Sequence, residues 1–170
     1  MYICNTCYQL CDNEVKNNRN YYSLNMYTAL EIAEKIISLY KDSEIEDVIT
    51  NLKLQKLLYY EQGYHLAYFG EPLFNDNIEA WMYGPVVPVV YNEYKKYDSK
   101  PIPLVDSDLQ FKDETEAKLF GEVFNLYNRY SASGLIDLTH SETPWQETPT
   151  GVGNVISQSK MKEFFKTRLK

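Results

Sequence analysis

Apolar residues recur at helical spacing along most of the chain. From Thr28 to Lys41, Ala29, Ile32, Ala33, Ile36, Ile37 and Tyr40 line one face of a predicted helix. Thr28 and Glu31 stand three apart at its start, as in a capping box. A second helix is predicted from Asn51 to Phe69, with Thr50 as N-cap and Gly70 as stop. Its stripe runs Leu54, Leu57, Leu58, Glu61, His65 and Tyr68, widened by Leu66 and Phe69. Lys53, Gln55 and Lys56 interleave with those leucines, so the segment reads as an amphipathic helix with one face in the core. Ile78 to Tyr83 alternates, as an edge strand or an extended loop does, and Gly84 and Pro85 break it.

A third helix is predicted from Pro85 or Val86 to Tyr97, since a proline fits only its first turn. Residues Lys100 to Asp113, with Pro101 and Pro103, read as a loop. A fourth helix follows from Asp113 to Arg129, and a fifth from Ser131 or Ala132 to Thr139. Ser141 to Gly153 is rich in turn residues. Val155 and Ile156 are placed to pair with the Ile78 segment, and Ser157 to cap a last helix through Leu169. The predicted fold class is mainly α: a compact helical bundle with at most a small two-stranded β element.

This periodicity is absent before Met26. Residues 1–25 are polar, rich in Asn, and contain all three cysteines. They read as an N-terminal appendage to a domain spanning 26–170, for which Met26 is a fitting start. The 170 residues are enough for one domain with a sizeable core. Cys4 and Cys7 have the spacing of half a zinc knuckle, and Cys11 adds a third thiolate. A closed structural site takes four ligands, so Asp12, a distant His or a second chain would have to complete it. A partial zinc knuckle and an irregular tail with reduced thiols are the two readings of this segment. Apart from that structural zinc, no cofactor is expected.

Charge narrows the partners. The chain carries a net charge of −7 and a pI near 4.9, and an acidic chain repels the phosphate backbone of nucleic acid. Lys160, Lys162, Lys166, Arg168 and Lys170 form a basic run, which reads as a solvated helix face near the C-terminal end of the helix dipole. No stretch approaches the ~20 apolar residues that span a bilayer, and no secretory signal pattern is visible. A cytoplasmic location is expected.

Candidate chemistry is sparse. His65 and Glu61 lie four apart on the second helix, and His140 stands near Glu142, so an acid–base pair or a metal site is conceivable there. A His on an apolar helical stripe is more often a core residue bonded to a neighbour. HExxH, GxSxG, P-loop and dinucleotide-binding patterns are all missing from the sequence. An enzyme built on His65, Glu61 and His140 is therefore the lesser alternative to a non-catalytic binding protein. Aromatic residues make up 15% of the chain, with 16 Tyr, and Tyr suits half-buried faces and protein interfaces. Trp81-Met82-Tyr83-Gly84-Pro85 is the densest such corner: it would anchor a partner or lock a strand to a helix.

One ordered set of segments carries a resemblance. Lys53-Leu54-Gln55-Lys56-Leu57-Leu58-Tyr59-Tyr60 and Gln62-Gly63-Tyr64-His65-Leu66 come first. Pro72-Leu73-Phe74, Glu79-Ala80-Trp81 and Tyr83-Gly84-Pro85-Val86-Val87-Pro88 follow, and Leu138-Thr139-His140-Ser141-Glu142-Thr143-Pro144-Trp145 closes the set. Over about Met26 to Lys170 the chain resembles the SocA-like or Panacea antitoxin domain, also found in phage-associated (prophage) and GepA-like proteins. The resemblance implies an antitoxin of a bacterial or phage toxin–antitoxin system, which neutralises a cognate toxin by direct binding. An adaptor that delivers its toxin to a Clp-type protease is the alternative the same resemblance implies. It carries over no catalytic residues. Tyr60, Tyr64, Trp81, Tyr83, Tyr91 and Trp145 are the candidate contacts with a partner, or the supports of such contacts. Neither the toxin's identity nor the oligomeric state is legible in the sequence.

Overall fold

A 19-residue helix, α2 (Asn51–Phe69), runs through the middle of the molecule. The computed structural model describes residues 26–41 and 48–169. Cys4, Cys7 and Cys11, and with them the zinc reading, lie outside the described residues. The Thr50 hydroxyl accepts from the Lys53 amide at the start of α2, and Gly70 ends it in the left-handed conformation, φ 83°. Around it pack α1 (Ala29–Leu39), α3 (Pro88–Tyr94), α4 (Glu114–Tyr127), α5 (Ala132–His140) and α7 (Gln158–Lys166), with the most extensive contacts from α7 and α4. Helix α1 begins with the expected capping box between Thr28 and Glu31. Asp113 and Ser131 cap α4 and α5 in the same way, through side-chain oxygens that accept backbone N–H groups. Ser157 precedes α7 as expected, but its hydroxyl pairs with that of Ser159 rather than with the backbone. A four-residue helix, α6 (Thr143–Gln146), lies within the turn-rich stretch after α5.

The small sheet is a hairpin. β1 (Glu79–Trp81) pairs antiparallel with β2 (Gly84–Val86), in the register Glu79 to Val86, Ala80 to Pro85 and Trp81 to Gly84. The mainly α class with a two-stranded element is the observed one. Gly84 and Pro85, expected to break the extended segment, instead form its return strand. Proline is tolerated there because the strand is an edge and its missing N–H leaves no gap in the ladder. The third helix accordingly starts at Pro88, and Lys95–Tyr97 continues it as a single 3₁₀ turn. On the other side of β1, Val155 bridges to Glu79 and the Ile156 amide donates to the Ile78 carbonyl at 2.8 Å, the pairing expected of that segment.

The amphipathic reading of α2 needs correction. Asn51, Lys53, Gln55, Lys56, Glu61, Gln62 and His65 are buried together with Leu54, Leu57, Leu58, Tyr59 and Tyr60. Other elements cover every face of the helix, and most of its polar side chains act as pins into them. The Asn51 amide donates to the Tyr91 carbonyl, and the Lys53 ammonium to the Asn128 carbonyl at 2.7 Å. Gln55 Oε1 accepts from the Val87 amide, and Lys56 Nζ donates to the Pro85 carbonyl at 2.9 Å. The Gln62 amide takes the backbone N–H groups of Leu73 and Phe74 and donates to the Phe74 carbonyl. A buried polar group left unpaired costs ~1–3 kcal/mol, so each of these bonds fixes the segment that it reaches.

Two helix contacts set the packing. Tyr60 stacks on Tyr127 of α4 with ring centres 3.6 Å apart, and Tyr59, Tyr60 and Tyr64 all pack against Phe165 of α7. Phe165 sits against Gly63, where a β-carbon would come within 2.1 Å of its ring. Gly63→Ala should therefore destabilise the protein by ~1–3 kcal/mol, because overpacking here outweighs the ~1 kcal/mol that alanine gains in helix propensity. Urea unfolding checks this, and adding Phe165→Leu should restore part of the loss. An alanine variant as stable as wild type would mean that α7 yields freely.

Burial alone lowers the Lys56 amine from the usual lysine range to about 7. In the unfolded chain the same amine keeps its proton to about pH 10.4, so above neutrality the unfolded state binds more protons and stability rises with pH. From about pH 7.5 to about pH 9 the unfolding free energy of wild type should gain ~2 kcal/mol relative to that of Lys56→Met, since the raised carboxyls of Glu61 and Glu142 act alike on both. Parallel profiles of the two proteins in urea titrations would show that the amine keeps its ordinary affinity for protons.

Candidate functional site

The hairpin turn puts two large side chains in the open beside the sequence candidates. Met82 is 70% exposed and Tyr83 64%. Trp81, just before them, is half-buried and holds the turn to the body at several points. Its ring meets Tyr91 of α3 edge-on at 4.9 Å, and its Nε1–H donates to Glu79 Oε2 at 2.7 Å. Its carbonyl accepts the Nε1–H of Trp145 of α6 at 3.1 Å. The ring of His140, at the end of α5, stacks on Trp145 with centres 4.0 Å apart and planes within 16°. Glu79 Oε2 also accepts the Gly153 amide, which brings the exposed Val152 and Val155 alongside β1.

Four of the six candidates therefore meet at one corner: Trp81, Tyr83, Tyr91 and Trp145. Tyr60 and Tyr64 do not reach the surface. Both are buried, with the Tyr60 hydroxyl on Glu142 Oε1 at 3.2 Å and the Tyr64 hydroxyl on that of Tyr127 at 3.1 Å. In this conformation they support the α2–α4–α7 core beneath. Met82, Val152 and Val155 were not among the sequence candidates. For Met82 the signal was its place between two aromatics on a short strand–turn, and for Val152 the flanking Gly151 and Gly153 that mark an exposed turn.

The residues considered for catalysis sit in separate settings. His65 has both ring nitrogens engaged, Nδ1 at 2.9 Å from the Glu71 carbonyl and Nε2 at 2.9 Å from Glu116 Oε1. Burial pushes the Glu116 carboxyl up, but bonds from His65, Tyr27 and the Lys112 amide outweigh it and leave the group below the usual range. This cluster ties α2 to α4 and to the segment before α1. Glu61 is enclosed in the core, where burial holds its carboxyl well above the usual range, and His65 turns to Glu116 rather than to it. Glu142 lies among tyrosine hydroxyls, and burial pushes its carboxyl up to about 7 against their hydrogen bonds. His140 faces Trp145.

The corner thus pairs an exposed tip with a fixed base, and substitutions should separate the two. Met82→Ala and Tyr83→Ala are expected to change stability by less than ~0.5 kcal/mol, as exposed positions do. Trp145→Ala, which removes a packed ring and its N–H bond to the Trp81 carbonyl, should cost ~2 kcal/mol. Thermal melts of the three variants check the division, and a large loss in the first two would move the tip into the folded core.

Comparison with known proteins points the same way as the segments quoted above. The family model described as "Antitoxin SocA-like, Panacea domain" matches residues 54–146, a span from the first turn of α2 to the end of α6. The protein named Antitoxin SocA from Caulobacter vibrioides (strain NA1000 / CB15N) is 34% identical, over 66% of this chain. The match spans 66% of that relative's own length. No solved structure matches the chain.

Proposed function

The chain belongs to the SocA-like antitoxin family that carries the Panacea domain, and on that premise we propose that it neutralises a cognate toxin by direct binding through the hairpin corner. One observation carries the reading: Met82 and Tyr83 stand in the open on a turn whose base is held by buried bonds. Large apolar side chains dominate binding energy when they fill a partner's pocket. Presenting them from a fixed backbone spares the entropy that a loose loop would lose on docking. Trp81, Tyr91 and Trp145 serve as the support of this tip and as its rim.

Charge adds selectivity. A net charge of −7 draws a basic partner surface toward the chain and repels an acidic one, which acts on encounter rate and on choice of partner. Neutralisation follows by occlusion: the tip and its rim cover the toxin's working face and exclude its substrate. In this reading the protein performs no catalysis itself.

The test is co-expression with the product of the adjacent gene, scored by growth and then by co-purification. Expected are arrest by the neighbour alone, recovery with this protein, and a stable complex of the two. The double variant Met82→Ala, Tyr83→Ala should keep its melting temperature and lose affinity by roughly a hundredfold, as two hot-spot truncations do. Growth recovery with no stable complex would favour delivery of the toxin to a protease instead. A neighbour without toxicity and without binding would leave the chain with a family and no partner.

A further inference from the structure

Beneath the exposed tip lies an amine with an unusual position. Lys56 leaves the second turn of α2, is fully buried, and ends at the Pro85 carbonyl, 2.9 Å away. The backbone of β2 lies directly against it. A β-carbon on Gly84 would come within 2.8 Å of Lys56 Cε and within 2.7 Å of the Thr139 hydroxyl, so the strand can come this close only because that residue is glycine. Gly84 also takes the left-handed φ of 94°, which sets the return of the chain after Tyr83. One residue earlier on α2, Gln55 accepts the amide of Val87, the residue between β2 and α3. Two adjacent side chains of the central helix thus hold the middle of the return strand and the residue just after it.

We propose that Lys56 is a positioning residue for the partner surface: its bond to the Pro85 carbonyl holds Met82 and Tyr83 in their exposed pose, and affinity for the partner depends on it without any contact between them. The inference rests on the reading of the hairpin corner as the binding surface. It adds a regulator to that surface, since the strength of the hold follows the protonation of one buried amine. Burial alone brings that amine to about 7, close to neutrality. Gly84 and Pro85 of β2 and Thr139 of α5 are packed against it, and none of the three titrates. Of the titratable groups nearby, Glu142 takes the Tyr60 hydroxyl on one oxygen and the His140 ring stacks on Trp145, while Glu142 Oε2 and His140 Nε2 are buried without a hydrogen-bond partner among the described residues. A charged Lys56 donates a stronger bond to the carbonyl but sits in a site that disfavours its charge, and a neutral one removes that conflict. The two states hold the tip differently.

The full chain, labelled for NMR and without any partner, tests this. In wild type the carbonyl carbon of Pro85 and the amide of Val86 should follow one titration curve with a midpoint near 7. In Lys56→Met that curve should vanish. The amides from Met82 to Val87 should also exchange roughly tenfold faster, the loss of one buried hydrogen bond, while those of α4 and α7 keep their protection. Persistence of the curve in the variant, or an equal loss of protection throughout, would overturn the assignment. Should the variant fail to fold, wild type and the double variant His140→Gln, Glu142→Gln decide together: a curve at Pro85 and Val86 that persists in the double variant upholds it, and one absent from either protein between about pH 6 and about pH 8.5 overturns it. Growth recovery in co-expression is independent of this measurement, so failure of the latch leaves the antitoxin reading intact. Failure of recovery likewise leaves the coupling of Lys56 to the hairpin intact.

Discussion

Everything in this fold depends on satisfying the polar side chains of one buried helix. Helix α2 has no solvent face to send Lys53, Gln55, Lys56, Gln62 and His65 toward, so each must find a partner in a neighbouring element. Their partners are mostly main-chain groups: the carbonyls of Asn128, Pro85, Phe74 and Glu71 and the amides of Val87, Leu73 and Phe74. A hydrophobic contact tolerates a shift of several tenths of an ångström, whereas a hydrogen bond to a particular carbonyl does not. Polar pins therefore contribute less to total stability than an apolar core of equal volume, and more to the position of what they touch.

That distinction explains why the candidate surface lies where it does. The hairpin is only three residues on each strand, and a two-stranded ribbon of this length has little stability of its own. It is ordered because α2 reaches into it at Pro85 and Val87, because Trp145 binds the Trp81 carbonyl, and because the 154–156 segment pairs along β1. Its turn is consequently free to display Met82 and Tyr83 without contributing to folding. The same supports leave the identity of the exposed side chains open to change, since none of the pins runs through them.

Much of the helical architecture was legible because it follows from local rules. The bounds of α2 came from Thr50, the apolar run and Gly70; the start of α1 came from Thr28 and Glu31; the pairing of Ile156 with Ile78 came from two short apolar segments that lacked any other partner. The misreadings have a common cause. Lys56 looks like a solvent-facing residue because its partner is 29 positions away, and Lys53 likewise because its partner is 75 positions away. Periodicity records whether a residue is polar, and says nothing of a carbonyl that long-range folding will place beside it. Gly84-Pro85 misled for the complementary reason: in isolation it signals a break, and only the cover of Lys56 and Thr139 makes it a strand. Tyr60 and Tyr64 could not be separated from Tyr83 by type, since tyrosine serves both a core and an interface.

The polar residues of α2 are then not the residues that would meet a partner. Lys53, Gln55, Lys56, Gln62, Gly63 and His65 all face inward, and they specify how segments are placed around α2. Such a division suits a binding protein whose partner surface is a short turn on a rigid support. The support requires particular side chains at particular positions, because a carbonyl accepts only from a donor that reaches it. The turn requires only that its residues be exposed and large enough to fill a pocket. A change of partner then calls for substitutions at the tip and its rim, while the buried pins that position them stay in place.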